Sequence, residues 1–248
     1  RQRQMCIRDS HWAPATEVPG TYFHYDNLNF GLLGTLIERI SGERFDQYMR
    51  RHIFDPLDIE ASYNIRNLSD EALHNLAVLY RKGATDGTWT PNGSWVAQVD
   101  DYQGIRPDSV IRVENPDRGD AQSNASTVTL DTYIIGTNGT LFSPQGGLRI
   151  SAYDLARIGL LLAHSGSLNG IQILQPESVA AMVTPQWRFD DQQKNGDTYQ
   201  GLMQCWGLGT HIITDASGPG YGDRLVEDTH LRYLGHAGDA YGLLSGLW

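Results

Sequence analysis

Tyr25 and Asn27 stand two residues apart in "FHYDNLNFGLLG", Phe23 to Gly34, where a polar segment turns into an apolar helical pattern. A free phenol, with a pKa of about 10, passes a proton at neutral pH only beside a positive charge or within a hydrogen-bond relay. The amide of Asn27 both donates and accepts hydrogen bonds. Taken singly, these residues are a packed aromatic and a helix N-cap. Taken together, they put a proton-transfer group next to a group that can hold a carbonyl or an amide. A third candidate, His236 in "GHAG", reads by itself as a half-exposed strand histidine, one of eight in the chain. There is no His-Glu-x-x-His, no phosphate loop and no dinucleotide-binding glycine pattern, so neither metal nor other cofactor is expected.

Elements must hold these side chains in place. Leu28, Leu32, Leu33, Leu36, Ile37 and Ile40 recur at three and four, with Glu38 and Arg39 on the other side, which predicts an amphipathic helix that buries its leucine face. Ser41-Gly42 ends it. A second helix, with Phe45, Tyr48, Met49, His52 and Ile53 on one face, is expected to run until Pro56 forbids continuation. From about 60 to 140 the chain is rich in Gly, Pro, Asn, Asp and Ser, and long loops with a few short elements are expected. Loops of that length often wall a cleft, and Trp89, Trp95, Tyr102 and Trp187 are candidates for lining it. The four Asn-x-Ser/Thr matches, at Asn67, Asn92, Asn124 and Asn138, are expected by chance in such composition. Ser151 and Asp154 form a variant capping box before a stripe of Leu155, Ile158, Leu161 and Leu162, and Gly166 stops that helix. "LNGIQIL" predicts a hairpin turning at Asn169-Gly170, and "PESVAAMV" a helix with proline in its first turn. The last third alternates glycines with aromatic and β-branched residues, as antiparallel strands do. Helices in the middle and strands at the end predict an α+β fold, an antiparallel sheet flanked by helices plus a helical region.

Composition narrows the partners. The formal charge is -10, the only lysines are Lys82 and Lys194, and no basic cluster follows residue 10, so a nucleic-acid partner is not expected. No apolar run approaches a membrane span, and the longest, "IGLLLA" at 158–163, is core-sized. Cys6 and Cys205 match no metal or redox spacing, and no disulfide framework is expected. Residues 1–10, "RQRQMCIRDS", carry three Arg and one Asp without an apolar period and look like a non-native segment. Without them the charge is -12, and residues 11–248 remain as the domain.

Three stretches, "YDN" at 25–27, "SPQGGLRISAYDLAR" at 143–157 and "GHAG" at 235–238, occur in an order that resembles the serine hydrolases of the β-lactamase and penicillin-binding-protein superfamily, in particular the class C-like branch with its esterases and D-aminopeptidases. Tyr25-Asp26-Asn27 is similar to that family's Tyr-x-Asn motif, "GGLRISAYDLARIGLLL" to its Asp-Leu-Ala helix, and His236-Ala237-Gly238 to its third motif, written Lys-Thr-Gly or His-x-Gly. The resemblance extends from Pro19 to the end. Asp26 replaces the Ser more usual between the other two and, as the middle residue, is expected to face away.

The resemblance implies a cleft in which a serine attacks a carbonyl and is transiently acylated. A serine hydroxyl is a poor nucleophile until a base takes its proton, so Tyr25 is the implied proton carrier and Asn27 the implied holder of the acyl group. His236 would steady developing charge or hydrogen-bond the tyrosine. Gly238 and Ala237 line the strand that the substrate approaches, and the backbone N–H of Asp239 is the implied second oxyanion-hole donor. The family's nucleophile lies in Ser-x-x-Lys upstream of Tyr-x-Asn. The residues three before Lys82 and Lys194 are Leu79 and Asp191, so this chain is expected to be a fragment of the fold, truncated at both ends and inactive alone. An imidazole is mostly neutral at pH 7 and Ala237 has no hydroxyl, which weakens a carboxylate site and points to small ester, amide or peptide substrates over β-lactams. A β-lactamase or D-alanyl-D-alanine carboxypeptidase, and a non-catalytic ligand-binding module on the same scaffold, are the alternatives; a carbohydrate-binding β-rich protein is disfavoured by the amphipathic helices. A periplasmic or secreted location follows by family analogy alone.

Overall fold

The computed structural model describes residues 16–83, 88–107, 110–113, 126–215, 223–226, 231–240 and 243–248; the segment 1–10, Cys6 and Asn124 lie outside them. The architecture is mixed α+β with small antiparallel sheets, and the chain divides into two units.

The first unit comprises Asn27–Asp154 and Gly238–Ser245. It holds helices α1 (Asn27–Ser41), α2 (Phe45–Met49) and α3 (Asp70–His74). Its strands are β1 (Ala61–Ser62), the hairpin β2 (Leu79–Gly83) with β3 (Ser94–Val99), the pair β4 (Val110–Val113) with β5 (Ser126–Thr129), and β6 (Arg149–Ile150), which pairs antiparallel with β1.

Helix α1 is where the apolar periodicity misleads. Leu32, Leu33, Leu36 and Ile40 are 49% to 78% exposed, while Gly31, Gly34 and Glu38 are buried. The cause is close approach. A Cβ on Gly31 would sit 2.2 Å from Thr140 Cγ2, and one on Gly34 2.7 Å from Pro144 Cγ, so the bare helix backbone is what the turn at Gly139–Phe142 packs against. Glu38 tolerates burial because three donors meet its carboxylate: the backbone N–H of Phe45 at 2.9 Å, that of Gly136 at 2.8 Å and the Tyr133 hydroxyl at 2.6 Å. Around this anchor Phe45, Leu141 and Phe142 form a core with Ile37, Met49, Tyr63, Leu130 and Tyr133 packed on it.

The second predicted helix also changes character. After α2 the chain widens into a π-helical turn at Arg50–Phe54, where Asp55 N–H bonds the carbonyl five residues back, and then tightens into a 3-10 turn at Asp55–Leu57. The wide turn rotates Phe54 and Leu57 inward and leaves His52 exposed on Glu43, contrary to the expected apolar face. Asp46, also buried, is held by both arms of Arg44 and by the amides of Asn64 and Asn67. Tyr102 packs on the Ile65, Leu68 and Leu73 cluster, while Trp89 and Trp95 are exposed on the β2/β3 hairpin.

The second unit comprises the chain up to Asp26, Leu155–Ala237 and Gly246–Trp248. Helix α4 (Ala152–Ala163) has its N-cap at Ser151, whose Oγ accepts the Asp154 N–H at 3.0 Å and donates to the Asp154 carboxylate, as the capping box predicts. Leu161 is its most buried residue. Gly159 admits Leu247, whose Cδ1 would lie 3.0 Å from a Cβ there. Strands β7 (Ser167–Leu168) and β8 (Ile171–Gln172) make the expected hairpin, with Asn169 and Gly170 both at positive φ. Helix α5 (Pro176–Val183) follows, and then β9 (Trp187–Arg188), β10 (Cys205–Trp206), β11 (His211–Ile212), β12 (Leu234–Ala240) and β13 (Leu243–Leu247) in the order β13-β12-β11-β10-β9. The pairings β9–β10, β10–β11 and β11–β12 are antiparallel. No described helix is long and apolar enough to cross a membrane.

Candidate active site

The segment carrying Tyr25 is tied down at Phe23. Its N–H donates to the Asn195 carbonyl at 3.1 Å, and its own carbonyl accepts from Asp197 N–H at 3.0 Å. Between those contacts sits Gly196, where a Cβ would come within 2.5 Å of Trp187 Cζ2; a side chain there would push the segment off the sheet. Phe23 stacks on Trp187 with ring centroids 4.5 Å apart and on Trp206 at 5.5 Å. The backbone two residues before Tyr25 is thus fixed by hydrogen bonds and by two indoles.

Strand register supplies the rest. Trp206 of β10 lies opposite Trp187 on one side and His211 of β11 on the other, so three aromatic side chains form a cross-strand row. The β10–β11 link is the short "GLGT" loop, with Gly209 at positive φ and Gly207 N–H bonded to the Thr210 carbonyl. His211 in turn lies opposite Gly235, and His236 follows it in β12.

Tyr25 Oη is 3.3 Å from His236 Nε2, with the ring centroids 5.8 Å apart. The other imidazole nitrogen, Nδ1, is 2.5 Å from the carbonyl of Ala237, which can only accept. That assigns the proton to Nδ1 and leaves the Nε2 lone pair to receive the Tyr25 hydroxyl proton. Burial, and secondarily the Tyr199 phenol whose ring meets Tyr25 edge-on at 5.8 Å, push the Tyr25 pKa up. Tyr25 therefore stays a phenol at neutral pH and donates. Lys194, in the same unit, is engaged by Asp191 at 2.5 Å, and Lys82 in the other unit by the Pro91 carbonyl at 3.0 Å. Among the described residues the group that meets the phenol is the His236 imidazole, in the geometry of a relay.

Of the residues singled out from sequence, Tyr25, His236 and Ala237 meet in the second unit. Asn27 opens α1 in the first unit with its side chain exposed. Gly238 and Asp239 continue β12 and group with the first unit; a Cβ on Gly238 would be 2.5 Å from Ser245 Oγ, a side-chain end that can turn aside, and Asp239 is exposed. Trp187 is packed on Phe23.

Sequence reasoning passed over Trp206, His211 and Tyr199. Trp206 is 5% exposed and touches four other rings: Phe23, Tyr25 at 5.8 Å, His236 edge-on at 5.3 Å and His211 at 5.1 Å and nearly parallel. His211 is 2% exposed and also meets Trp248 edge-on at 5.3 Å. Burial, with the nearby His236 imidazole adding to it, holds the His211 pKa below the ordinary histidine value, against the opposing pull of Asp223 and a bond to the Leu202 backbone. Trp206 Nε1 and His211 Nε2 are both buried without a hydrogen-bond partner among the described residues. The legible signal was "CWGLGTHI", a glycine-rich loop that sets a tryptophan opposite a histidine. Among the described residues no group of three or more His, Cys, Asp or Glu side chains could hold a metal ion.

The model of the Beta-lactamase family matches residues 1–246. No individual curated protein matches the sequence significantly.

Proposed function

The chain belongs to the Beta-lactamase family, and on that premise we propose that it forms part of a serine hydrolase that cleaves small ester or amide bonds through an acyl-enzyme. The observation that carries this is the Tyr25–His236 hydrogen bond, 211 residues apart in sequence and 3.3 Å in space. In this proposal a serine hydroxyl passes its proton to Tyr25 as the phenol proton moves to His236 Nε2, so no separated charge builds up on a buried phenolate. Asn27, assigned by the Tyr-x-Asn motif, holds the acyl group, and Asp239 N–H donates to the oxyanion beside Gly238 and Ala237. The β-strand motif has an imidazole and a methyl where β-lactam-binding relatives carry an ammonium and a hydroxyl, which favours uncharged acyl esters or peptides over carboxylate-bearing β-lactams.

No serine stands three before either lysine, so the nucleophile is assigned to sequence outside this chain, and the chain alone is assigned no acylation activity. The same absence favours a second reading, a non-catalytic ligand-binding module. Expression of the chain joined to the coding sequence that precedes it separates the two. A Ser-x-x-Lys protein should hydrolyse p-nitrophenyl acetate faster than a cephalosporin and lose roughly 10²- to 10⁴-fold in kcat on Tyr25→Phe, the usual worth of a proton-transfer group. Equal activity of the Tyr25→Phe protein would end the assignment, and a clear cephalosporin preference would overturn the substrate class.

A further inference from the structure

We infer that Trp206, backed by His211, is a positioning residue for the Tyr25–His236 pair, an inference that rests on the function just proposed. Tyr25 arrives on a segment from the start of the chain and His236 on a strand near its end. Among the described residues the one aromatic ring that meets both is the Trp206 indole, tilted against the phenol at 5.8 Å and edge-on to the imidazole at 5.3 Å. The indole itself is braced by Phe23 at 5.5 Å and by His211 at 5.1 Å with the planes only 13° apart. His211 is then held by Trp248 and by the pairing of β11 with β10 and β12.

Packing alone does not account for the residue types. Among the described residues a buried indole N–H and a buried imidazole nitrogen each lack a partner, a cost that leucine at the same places would avoid. What the two rings add is shape and stiffness: a flat, wide indole keeps two other rings at a fixed angle with few torsions to freeze, and a neutral imidazole stacks on it without bringing a charge next to His236. A hydrogen bond of 3.3 Å is near the limit of useful geometry, so a ring rotation of a few tenths of an ångström decides whether it forms.

The test reads His236 directly and needs no turnover. In the chain with 15N-labelled histidine, the Nδ1–H tautomer of His236 is expected to dominate near pH 8, its two ring nitrogens giving separate donor and acceptor shifts. Tyr25→Phe removes the donor to Nε2 and should reduce that preference, leaving the Ala237 carbonyl alone to favour it. Trp206→Leu and His211→Leu should reduce it as well, with a folded chain by circular dichroism, while His211→Phe, which keeps a stacking ring, should restore it. If Trp206→Leu does not fold, Trp206→Phe takes its place and should shift the tautomer ratio towards the mixture seen with Tyr25→Phe. Should Tyr25→Phe change His236 while the folded Trp206 variant leaves it as in the parent chain, the positioning role is wrong and the pair survives. Should Tyr25→Phe itself leave His236 unchanged, the pair fails, and with it the proposed function.

Discussion

Glu38 and His211 are buried ionisable side chains, one in each unit, and they are treated in opposite ways. Glu38 lies at the centre of the first unit with three donors on its carboxylate, and it ties α1 to the start of α2 and to the 133–136 segment. His211 lies in a row of aromatic rings with one nitrogen unpartnered among the described residues, and its neighbour Trp206 is in the same condition. A satisfied buried polar group is a structural fastener; an unsatisfied one costs stability and is kept where something else is gained. The carboxylate of Glu38 serves the fold of the first unit, whereas in the second unit two buried polar atoms have no partner among the described residues and lie beside the Tyr25–His236 pair.

Breaking the fastener should give the largest effect. Glu38→Ala leaves two backbone N–H groups and a tyrosine hydroxyl buried without an acceptor, at about 1–3 kcal/mol each, so urea unfolding should show a loss of roughly 3 kcal/mol or more. A loss under about 1 kcal/mol would mean that the unit relaxes around the gap and that Glu38 is no anchor. The glycine face of α1 comes next. Gly31→Ala should cost about 1–3 kcal/mol from overpacking against Thr140, although alanine is otherwise the better helix former. Thr140→Ser, which removes the clashing methyl, should recover most of that in a double-mutant cycle. Leu36→Gln, on the exposed face, should stay within about 0.5 kcal/mol, and a larger loss would restore the leucine face as the buried one.

The other side of the comparison is read by pH. The folded-state pKa of His211 is depressed while the unfolded value is about 6.5, so the unfolded chain binds the proton more readily. Its contribution to stability is complete above the unfolded value and is lost as pH falls below it. Asp223 and His236, the titratable groups facing it, work in opposite directions. Thermal melts at pH 7.5 and 5 should show a smaller acid loss for His211→Phe than for the parent; an equal loss would move the acid sensitivity elsewhere. The smallest effect is spectroscopic. Burial pushes the Tyr63 phenol up to about 12, and it raises Tyr25, Tyr133 and Tyr199 as well, Tyr133 also through its bond to Glu38 and Tyr199 also through the Asp197 and Asp26 carboxylates. Free phenols ionise near 10, so these four should lag behind the other tyrosines in a titration at 295 nm, and the native state should lose stability as pH rises past that value. Simultaneous ionisation of all twelve would contradict their burial.

Local rules read much of this chain correctly. Asn169-Gly170 turns a hairpin because two adjacent residues can take positive φ, Ser151 caps α4 through the bond that its spacing allows, and Pro176 starts α5. Tyr25 and His236 were singled out by motif order. Two features eluded sequence for a common reason. The buried face of α1 is set by how closely the 139–142 turn approaches, and hydrophobic period says nothing about a face made of glycine and one satisfied carboxylate. The partners of the Tyr25–His236 pair are set by strand register, and Trp206 and His211 belong to a row only once β9, β10 and β11 are aligned.

The sequence by itself determined where the chain turns and caps, its family, and which few side chains are equipped for proton transfer, because those depend on backbone sterics and residue chemistry over a handful of neighbours. Only the tertiary structure decided which helix face is covered, that the Tyr25 phenol meets an imidazole nitrogen, and that an indole packs against both rings. Those outcomes are distances of a few ångströms between segments far apart in the chain, and a difference of one residue in register would change each of them.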